Sequence, residues 1–437
     1  MTANPHILKD GNHIAVVGGG PSGSFFSIFV LKMAKIMGKE FHITVFEPKD
    51  FTKEGPLGCN RCGGIISELL VQMLAVEGIN LPDSVVQRGI NAYRLHTNEG
   101  SVDIATPAHE KTIATVYRGG GPRGTAGTHK ESFDKFLLDL AIKEGAVHEA
   151  VRIDRIAYTE KGAELFAKEQ KLCETDLLVG TIGIKSRTSE VFEAMEFGYR
   201  RPVTTTASIA EISMDEAVIA ECLGNSVHLF LLPVSNIKFA AMIPKDTYVT
   251  VCILGEALGT ETVSDFLAHP VVGAVLPDRD QYSIECRCLP LMNVGAPKTP
   301  FHERVVICGD AGSTRLFKDG LGASYIMGKA AAKTVVFHGA GKSDFQREYY
   351  PVYKSLIVDN RYGRFLFRVT DIVKNHSLLT KGMLEVVRKE QAEAEKPAVL
   401  SSILWDMFTG NERYRNIFMR SLHVPMFYDL LKGIARV

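Results

Sequence analysis

The stretch HIAVVGGGPSGSFFSIFVLKMAKIMGKEFHITVFE, His13 to Glu47, leaves few folds open to this chain. Ile14–Val17 is an apolar run without polar alternation, the pattern of a parallel strand covered on both faces. Gly18, Gly20 and Gly23 then supply G-x-G-x-x-G. The first glycine makes the tight turn, the second lets a pyrophosphate approach the backbone, and the third lets helix and strand pack closely. Free N–H groups at the following helix N-terminus favour phosphate oxygens. His42–Phe46 reads as the next strand, and Glu47 closes it where a carboxylate can hold the hydroxyls of an adenosine ribose. Strand, turn, helix, strand and terminal acid in that order predict a dinucleotide site, with Gly18, Gly20, Ser22, Gly23 and Glu47 as its residues.

Composition narrows the class. The chain has 437 residues, room for two or three domains. Hydrophobic residues make up 46 % and charged residues 23 %, as in globular proteins. Lys+Arg and Asp+Glu both number 50, which offers nothing to nucleic acid as the main partner. The N-terminus lacks the pattern of a secretory signal, no stretch matches a membrane span, and the eight cysteines follow no secreted-scaffold spacing. A cytoplasmic protein with reduced thiols is the expectation.

Further elements follow from periodicity. Ser67–Val76 and the amphipathic Ser132–Gly145 read as helices, Tyr93–Ala105 as a hairpin turning at Asn98-Glu99-Gly100, and Thr112–Arg118 as a strand. Short strands near Val147–Ile153 and Asp176–Gly180 continue the nucleotide sheet. Thr204–Ile212, Ser226–Leu232, Ile237–Ile243 and Tyr248–Leu254 predict an antiparallel sheet. Parallel-strand character returns at Arg304–Cys308, with a long helix to about His338. The expected division is 1–90, 119–200 and 301–342 for nucleotide binding, 91–118 and 201–300 for a β-rich substrate domain, and a helical region over 343–437.

A second motif specifies the cofactor. After the Arg304–Cys308 strand come Gly309-Asp310 and then Gly320-Leu321-Gly322 at the start of the long helix. An Asp there can accept from a ribityl hydroxyl, and the glycine turn places a helix N-terminus beyond it. NAD needs no such late support, whereas the ribityl chain and ring of FAD do.

The order of these motifs resembles the flavoprotein group of aromatic hydroxylases and geranylgeranyl reductases. Cys62-Gly63-Gly64 followed by Ile-Ile-Ser, and the tail LWDMFTGNERYRNIFMRSL over Leu404–Leu422, resemble its geranylgeranyl reductase branch. The resemblance implies an α/β fold: a Rossmann-type FAD-binding domain with an inserted antiparallel β-rich substrate domain and a helical C-terminal region. It also implies pyrophosphate on Gly18, Gly20, Ser22 and Gly23, ribose on Glu47, and the ribityl chain on Gly309-Asp310. Backbone N–H groups of Gly320, Leu321 and Gly322 would meet the pyrimidine edge of the ring, with Cys62 and Gly63 nearby and Cys62 the catalytic candidate. Lys130 stands where R-x-x-F-D has Arg, keeping the charge but losing the bidentate fork. Gly180-Thr181-Ile182-Gly183 replaces G-A-D-G, and Lys318-Asp319 adds charges beside the expected ring.

The implied activity is reduction of carbon–carbon double bonds in a prenyl-type lipid or quinone, the donor being NAD(P)H or a redox protein. An electron-transfer flavoprotein and an NAD(P)H- and oxygen-dependent aromatic hydroxylase are the alternatives. Cys59-x-x-Cys62 and the pair Cys286/Cys288 read as flavin-proximal or packing thiols in preference to a dithiol or a metal site. His96, His129, His228, Tyr93, Tyr248 and Tyr325 are open as acids. The tail from Ser401 to Val437 reads as a helical cap on the nucleotide fold in preference to a membrane-contacting surface.

Overall fold

A computed structural model describes residues 5–105, 113–123, 130–184, 187–393 and 398–422. The chain forms two compact units, 1–53 with 131–204 and 291–358, and 54–130 with 205–290 and 359–437.

The first unit is built on a six-stranded sheet. Its strands run in the order Phe301–His302, Val305–Ile307, Leu177–Gly180, His13–Val17, His42–Phe46 and Val147–Glu149. Every pairing is parallel except the outermost one at Phe301–His302. The opening strand lies at the centre, later strands being added first on one side and then on the other. This is the doubly wound arrangement, whose crevice at the reversal point takes ligands. Ile14 to Val17 are all buried, which accounts for their uninterrupted apolar character. Ala15, Val17, Phe46, Leu178, Phe192, Val305 and Ile307 share one core.

Helices flank this sheet. Pro21–Ile36 starts with Pro at its first position and packs on Gly320–Phe337. They come close at Gly328, where a Cβ would lie 3.2 Å from Phe26 N. Phe133–Glu144 is capped by the Ser132 hydroxyl and ended by Gly145 at φ +122°, as the sequence pattern implies.

An antiparallel meander, Arg155–Thr159, Gly162–Ala167 and Gln170–Thr175, occupies a segment for which periodicity gives no element. Its second turn places Lys168 and Glu169 at φ +48° and +66°. Such turns ordinarily advertise themselves with Asn-Gly or Asp-Gly, so Lys-Glu conceals the hairpin.

In the second unit seven strands lie in the order Ser283–Cys288, Thr204–Ser213, Tyr248–Gly255, Ile237–Pro244, Ser226–Phe230, Ala92–Thr97 and Gly100–Ala105. They are antiparallel neighbours except Ser226–Phe230 with Ala92–Thr97, which is parallel. Ile212, Phe230, Met242, Val251, Ile253 and Phe266 fill its core. A smaller sheet joins Ile65–Ile66, Ile113–Val116 and Val86–Ile90.

The division differs from the sequence expectation in several places. Residues 54–90 and 119–130 group with the β-rich unit rather than with the nucleotide fold, and so does the chain beyond 358. The reason for the latter is the apolar face of the C-terminal helices. Trp405, fully buried on Val399–Thr409, packs edge-on against Tyr93, and Phe408 packs against Phe239. Trp405 and Phe408 are therefore buried residues that pack on strands of the second unit, not a surface for lipid. Phe427, Leu430 and Lys432 of the same tail lie outside the described residues. No helix among the described residues is long and apolar enough to cross a membrane.

Candidate functional site

The three opening glycines serve separable purposes. Gly18 has φ +111°, and a Cβ there would run into the Thr181 carbonyl; one at Gly23 would run into the Gly18 carbonyl. A Cβ at Gly20 would meet no protein atom within 4 Å. The first and third positions are thus fixed by the protein's own packing, while the second faces open space. The Ser22 hydroxyl is buried and has no partner among the described residues. The Ser22 and Gly23 N–H groups, in the first helical turn, have no partner among the described residues. An open cradle lined by three unpartnered donors fits a pyrophosphate.

Glu47 closes the cradle. Gly19 N–H donates to its Oε2 at 2.8 Å and Lys49 N–H to its Oε1 at 2.9 Å. Desolvation pushes this carboxyl above its ordinary range, opposed by those two N–H bonds. Two acceptors of about four lone-pair sites are used, which leaves capacity for two ribose hydroxyls. Thr181, one residue before Ile182, where the resemblance has an Asp, donates from Oγ1 to Gly18 O at 2.6 Å and braces the first glycine turn. Its signal in the sequence was only a departure from a pattern.

The two glycine motifs touch. Gly309 has φ +67°, and a Cβ there would lie 2.8 Å from Ser22 Cβ. Asp310 is exposed just beyond it, and its carbonyl accepts from Asn293 Nδ2 at 2.8 Å. A Cβ at Gly320 would lie 3.8 Å from Asp310 Oδ1. Gly18, Gly20, Ser22, Gly23, Glu47, Gly309, Asp310, Gly320, Leu321 and Gly322 therefore all fall in the first unit.

Three sequence expectations change here. Asp319 does not present a charge to a ligand: at φ +52° it caps the Gly320–Phe337 helix, accepting from Gly322 N–H at 3.0 Å, and pairs with buried Arg315 at 3.1 Å. The cap consumes the Gly322 N–H, so the donors left at this helix end are Gly320 and Leu321, which have no partner among the described residues. Lys130 lies in the second unit, where its ammonium donates to Val86 O at 2.9 Å. That bond directs its charge at the backbone of its own unit.

Cys62 and Gly63 also belong to the second unit. Gly64, at φ +72°, sits so close to the Val116 carbonyl that no side chain fits. Burial pushes the Cys286 thiol up to about 11, with Glu211 and Cys59 adding to it, and Cys288 up to about 12, with Cys59 adding. Both are thiols at neutral pH, which disfavours dithiol exchange. All eight cysteines are free, and no group of three or more His, Cys, Asp or Glu among the described residues is arranged to hold a metal ion.

Of the open acids, His129 lies outside the described residues. His96 and His228 form a buried pair, ring nitrogens 3.0 Å apart, with His96 stacked on Phe230. Burial lowers them to about 4 and about 3, so both are neutral at pH 7. Tyr93 and Tyr248 donate to the carbonyls of Phe408 and Arg123, and Tyr325 packs edge-on against Phe25 and Phe29. The sequence reading passed over Tyr117, Lys245 and Glu211, which the second unit brings together: Lys245 Nζ lies 4.9 Å from the Tyr117 ring centre and 3.7 Å from Glu211 Oε1.

No family model matches the sequence, and no curated protein sequence does either. Solved structures do. A geranylgeranyl bacteriochlorophyll reductase-like protein from Thermoplasma acidophilum superposes with TM-score 0.65 at 14 % identity, over 92 % of this chain and all of that one. A flavin-dependent brominase gives 0.62 at 12 % identity, over 94 % and 98 %. Aklavinone-11 hydroxylase, in complex with FAD and aklavinone, gives 0.59 at 15 %, over 82 % and 69 %. Reductase-like protein, brominase and hydroxylase share one architecture, and this chain has that fold.

Proposed function

We propose that the chain is an FAD-dependent oxidoreductase that reduces carbon–carbon double bonds of a prenyl-type lipid or quinone. The observation that carries the cofactor is the cradle at Gly20, open where a Cβ would stand and lined by the unpartnered Ser22 hydroxyl and first-turn N–H groups. Gly18, Gly20, Ser22 and Gly23 would hold the pyrophosphate, Glu47 the ribose, Asp310 the ribityl chain, and Gly320 and Leu321 N–H groups an anionic ring edge. Bound FAD supplies two-electron transfer as hydride. The protein's part is to orient the alkene, exclude water and furnish a proton.

The reductase reading is supported by the fold likeness to the reductase-like protein over its whole length. It is supported too by Ile182, which stands at the place where the hydroxylase pattern has an Asp. An electron-transfer flavoprotein and an aromatic hydroxylase make different predictions in the same assay. The purified chain should carry FAD. Reduced anaerobically and mixed with geranylgeranyl diphosphate, it should reoxidise while the lipid gains two hydrogens per turnover. Aromatic-dependent oxygen consumption with NADPH would sink the reductase reading, and a preparation without FAD would sink the whole assignment.

A further inference from the structure

From Asp359 onward, one side of the helix Tyr350–Lys374 is used for packing within the second unit. Leu366 and Phe367 are buried, and the Phe367 ring stacks on Phe239 at 5.7 Å and meets Tyr414 at 6.0 Å. Gly363, a residue that weakens a helix interior, admits the short helix Tyr414–Ser421: a Cβ there would lie 2.7 Å from the Tyr414 ring. Asp359 fastens the start of that short helix, its carboxylate accepting from Tyr414 N–H at 3.1 Å and Arg415 N–H at 2.9 Å. The Phe418 ring in turn lies 5.4 Å from Phe365 and 5.4 Å from Tyr362. The two helices therefore share an outer face.

That face is not the polar one a surface helix ordinarily turns to water. Phe365 is 50 % exposed, Val369 40 % and Ile372 54 %. Their spacing, i, i+4 and i+7, sets them in one row. Met419, next to Phe418, is 58 % exposed, and Leu422 is 50 % exposed. Beside the apolar row runs a basic one, Arg361, Arg364 and Arg368, all exposed, while Arg413 and Arg415 are exposed at the start of the short helix. The acids of 359–374 are Asp359, spent on the short helix, and Asp371, which faces Lys374 at 3.2 Å and Lys238 at 3.6 Å. Residues 413–422 contain no acid. Single exposed apolar side chains are ordinary, but a row of three, edged by arginines and in aromatic contact with a second helix, marks an interaction surface.

Charge decides what such a surface meets. A second copy, paired about a two-fold axis, would set arginines against arginines. An anionic lipid surface answers both rows at once. Acyl chains take up Phe365, Val369, Ile372 and Met419, and the long arginine stems let the guanidinium groups stay at the level of the phosphates. We propose that this face of the second unit is a peripheral attachment site for an anionic lipid membrane, with 361–372 lying in the plane of the headgroups. Attachment needs no turnover, so it stands apart from the reductase reading and is measured without substrate.

The test uses the full chain and vesicles of phosphatidylcholine and phosphatidylglycerol in equal parts. The protein should sediment with these vesicles at low salt, be released by high salt, and sediment less with phosphatidylcholine alone. No sedimentation with the mixed vesicles overturns the proposal. Phe365→Ser/Ile372→Ser should weaken partition about 10-fold or more, and Arg361→Gln/Arg368→Gln about 10-fold at low salt, each with a wild-type Tm. Val76→Ser, which alters an 84 % exposed side chain on the separate helix Glu68–Val76, should bind as wild type does. Undiminished binding by both double variants, or an equal loss in Val76→Ser, overturns the assignment to this face. Trp405 is the sole tryptophan and is buried, so Phe365→Trp adds a reporter on the face. Its emission should shift to the blue with the mixed vesicles while the wild-type emission stays put; an unmoved reporter overturns the placement. A wild-type dimer in sedimentation equilibrium that Phe365→Ser/Ile372→Ser abolishes would give the face to a second copy and overturn the proposal.

Discussion

Replacing Gly20 by Ala separates what the opening glycines do for the protein from what they do for a ligand. Gly20 has φ −65° and ψ −176°, a conformation open to any residue, and a Cβ there meets no protein atom within 4 Å. Without FAD the variant should fold as well as wild type, or gain about 0.4–1 kcal/mol through a less flexible unfolded chain. With FAD the methyl group stands where the pyrophosphate must come. Losing two charge-assisted hydrogen bonds, at about 1.5–3 kcal/mol each, should weaken binding by about 3–6 kcal/mol. That corresponds to roughly 10²–10⁴-fold in Kd. Gly18→Ala and Gly23→Ala put a Cβ into backbone carbonyls and should instead lower the stability of the FAD-free protein. Thermal unfolding of the apoprotein, with flavin absorbance titration of each variant, reads both quantities. Gly20→Ala with wild-type FAD affinity, or with a lowered apoprotein Tm, would refute the reasoning.

Other expectations follow from the same geometry. Glu47→Ala removes the acceptor for Gly19 and Lys49 N–H and should cost FAD affinity about 10-fold or more, while the remaining holoenzyme reduces the same substrates; a changed preference with FAD still bound would contradict it. Because His96 and His228 are held neutral well below 6.5, the unfolded chain binds protons that the native state does not as pH falls from 6.5 toward 4. Stability should be full above that window and decline within it. Urea midpoints at pH 7 and pH 5 should differ more for wild type than for His96→Gln/His228→Gln, and equal differences would count against the pair. Asp319→Ala strips a helix cap and strands buried Arg315, a loss of about 3–5 kcal/mol that denaturant unfolding would register.

What was legible in the sequence was whatever depends on local pattern. His13–Val17 and His42–Phe46 could be read because strands covered on both faces cannot hide their apolar runs, and Phe133–Glu144 because Ser132 and Gly145 mark its ends. The meander at 155–175 was hidden by its Lys168-Glu169 turn and its exposed, charged strands. The destination of 359–422 depended on which surface Trp405 and Phe408 found, a tertiary choice that helical periodicity does not contain. Within the site, residue types were readable but the competition for hydrogen bonds was not. Asp319 takes the Gly322 N–H because αL backbone at the cap aims its carboxylate there, and Lys130 takes Val86 O. Tyr117, Lys245 and Glu211 come from distant parts of the sequence and make no motif at all.

The central position of the opening strand sets a schedule for synthesis. His13–Val17 leaves the ribosome long before its neighbour Leu177–Gly180 and the strand beyond, Val305–Ile307. At roughly 5–20 residues per second, the sheet stays incomplete for tens of seconds. During that interval Ile14–Val17 and Phe25–Val30 remain without their native cover, a sticky segment on the growing chain. Parallel pairing at such sequence separation is slow to form. Production in a host with depleted chaperones should therefore yield aggregates whose protected core begins at the glycine turn.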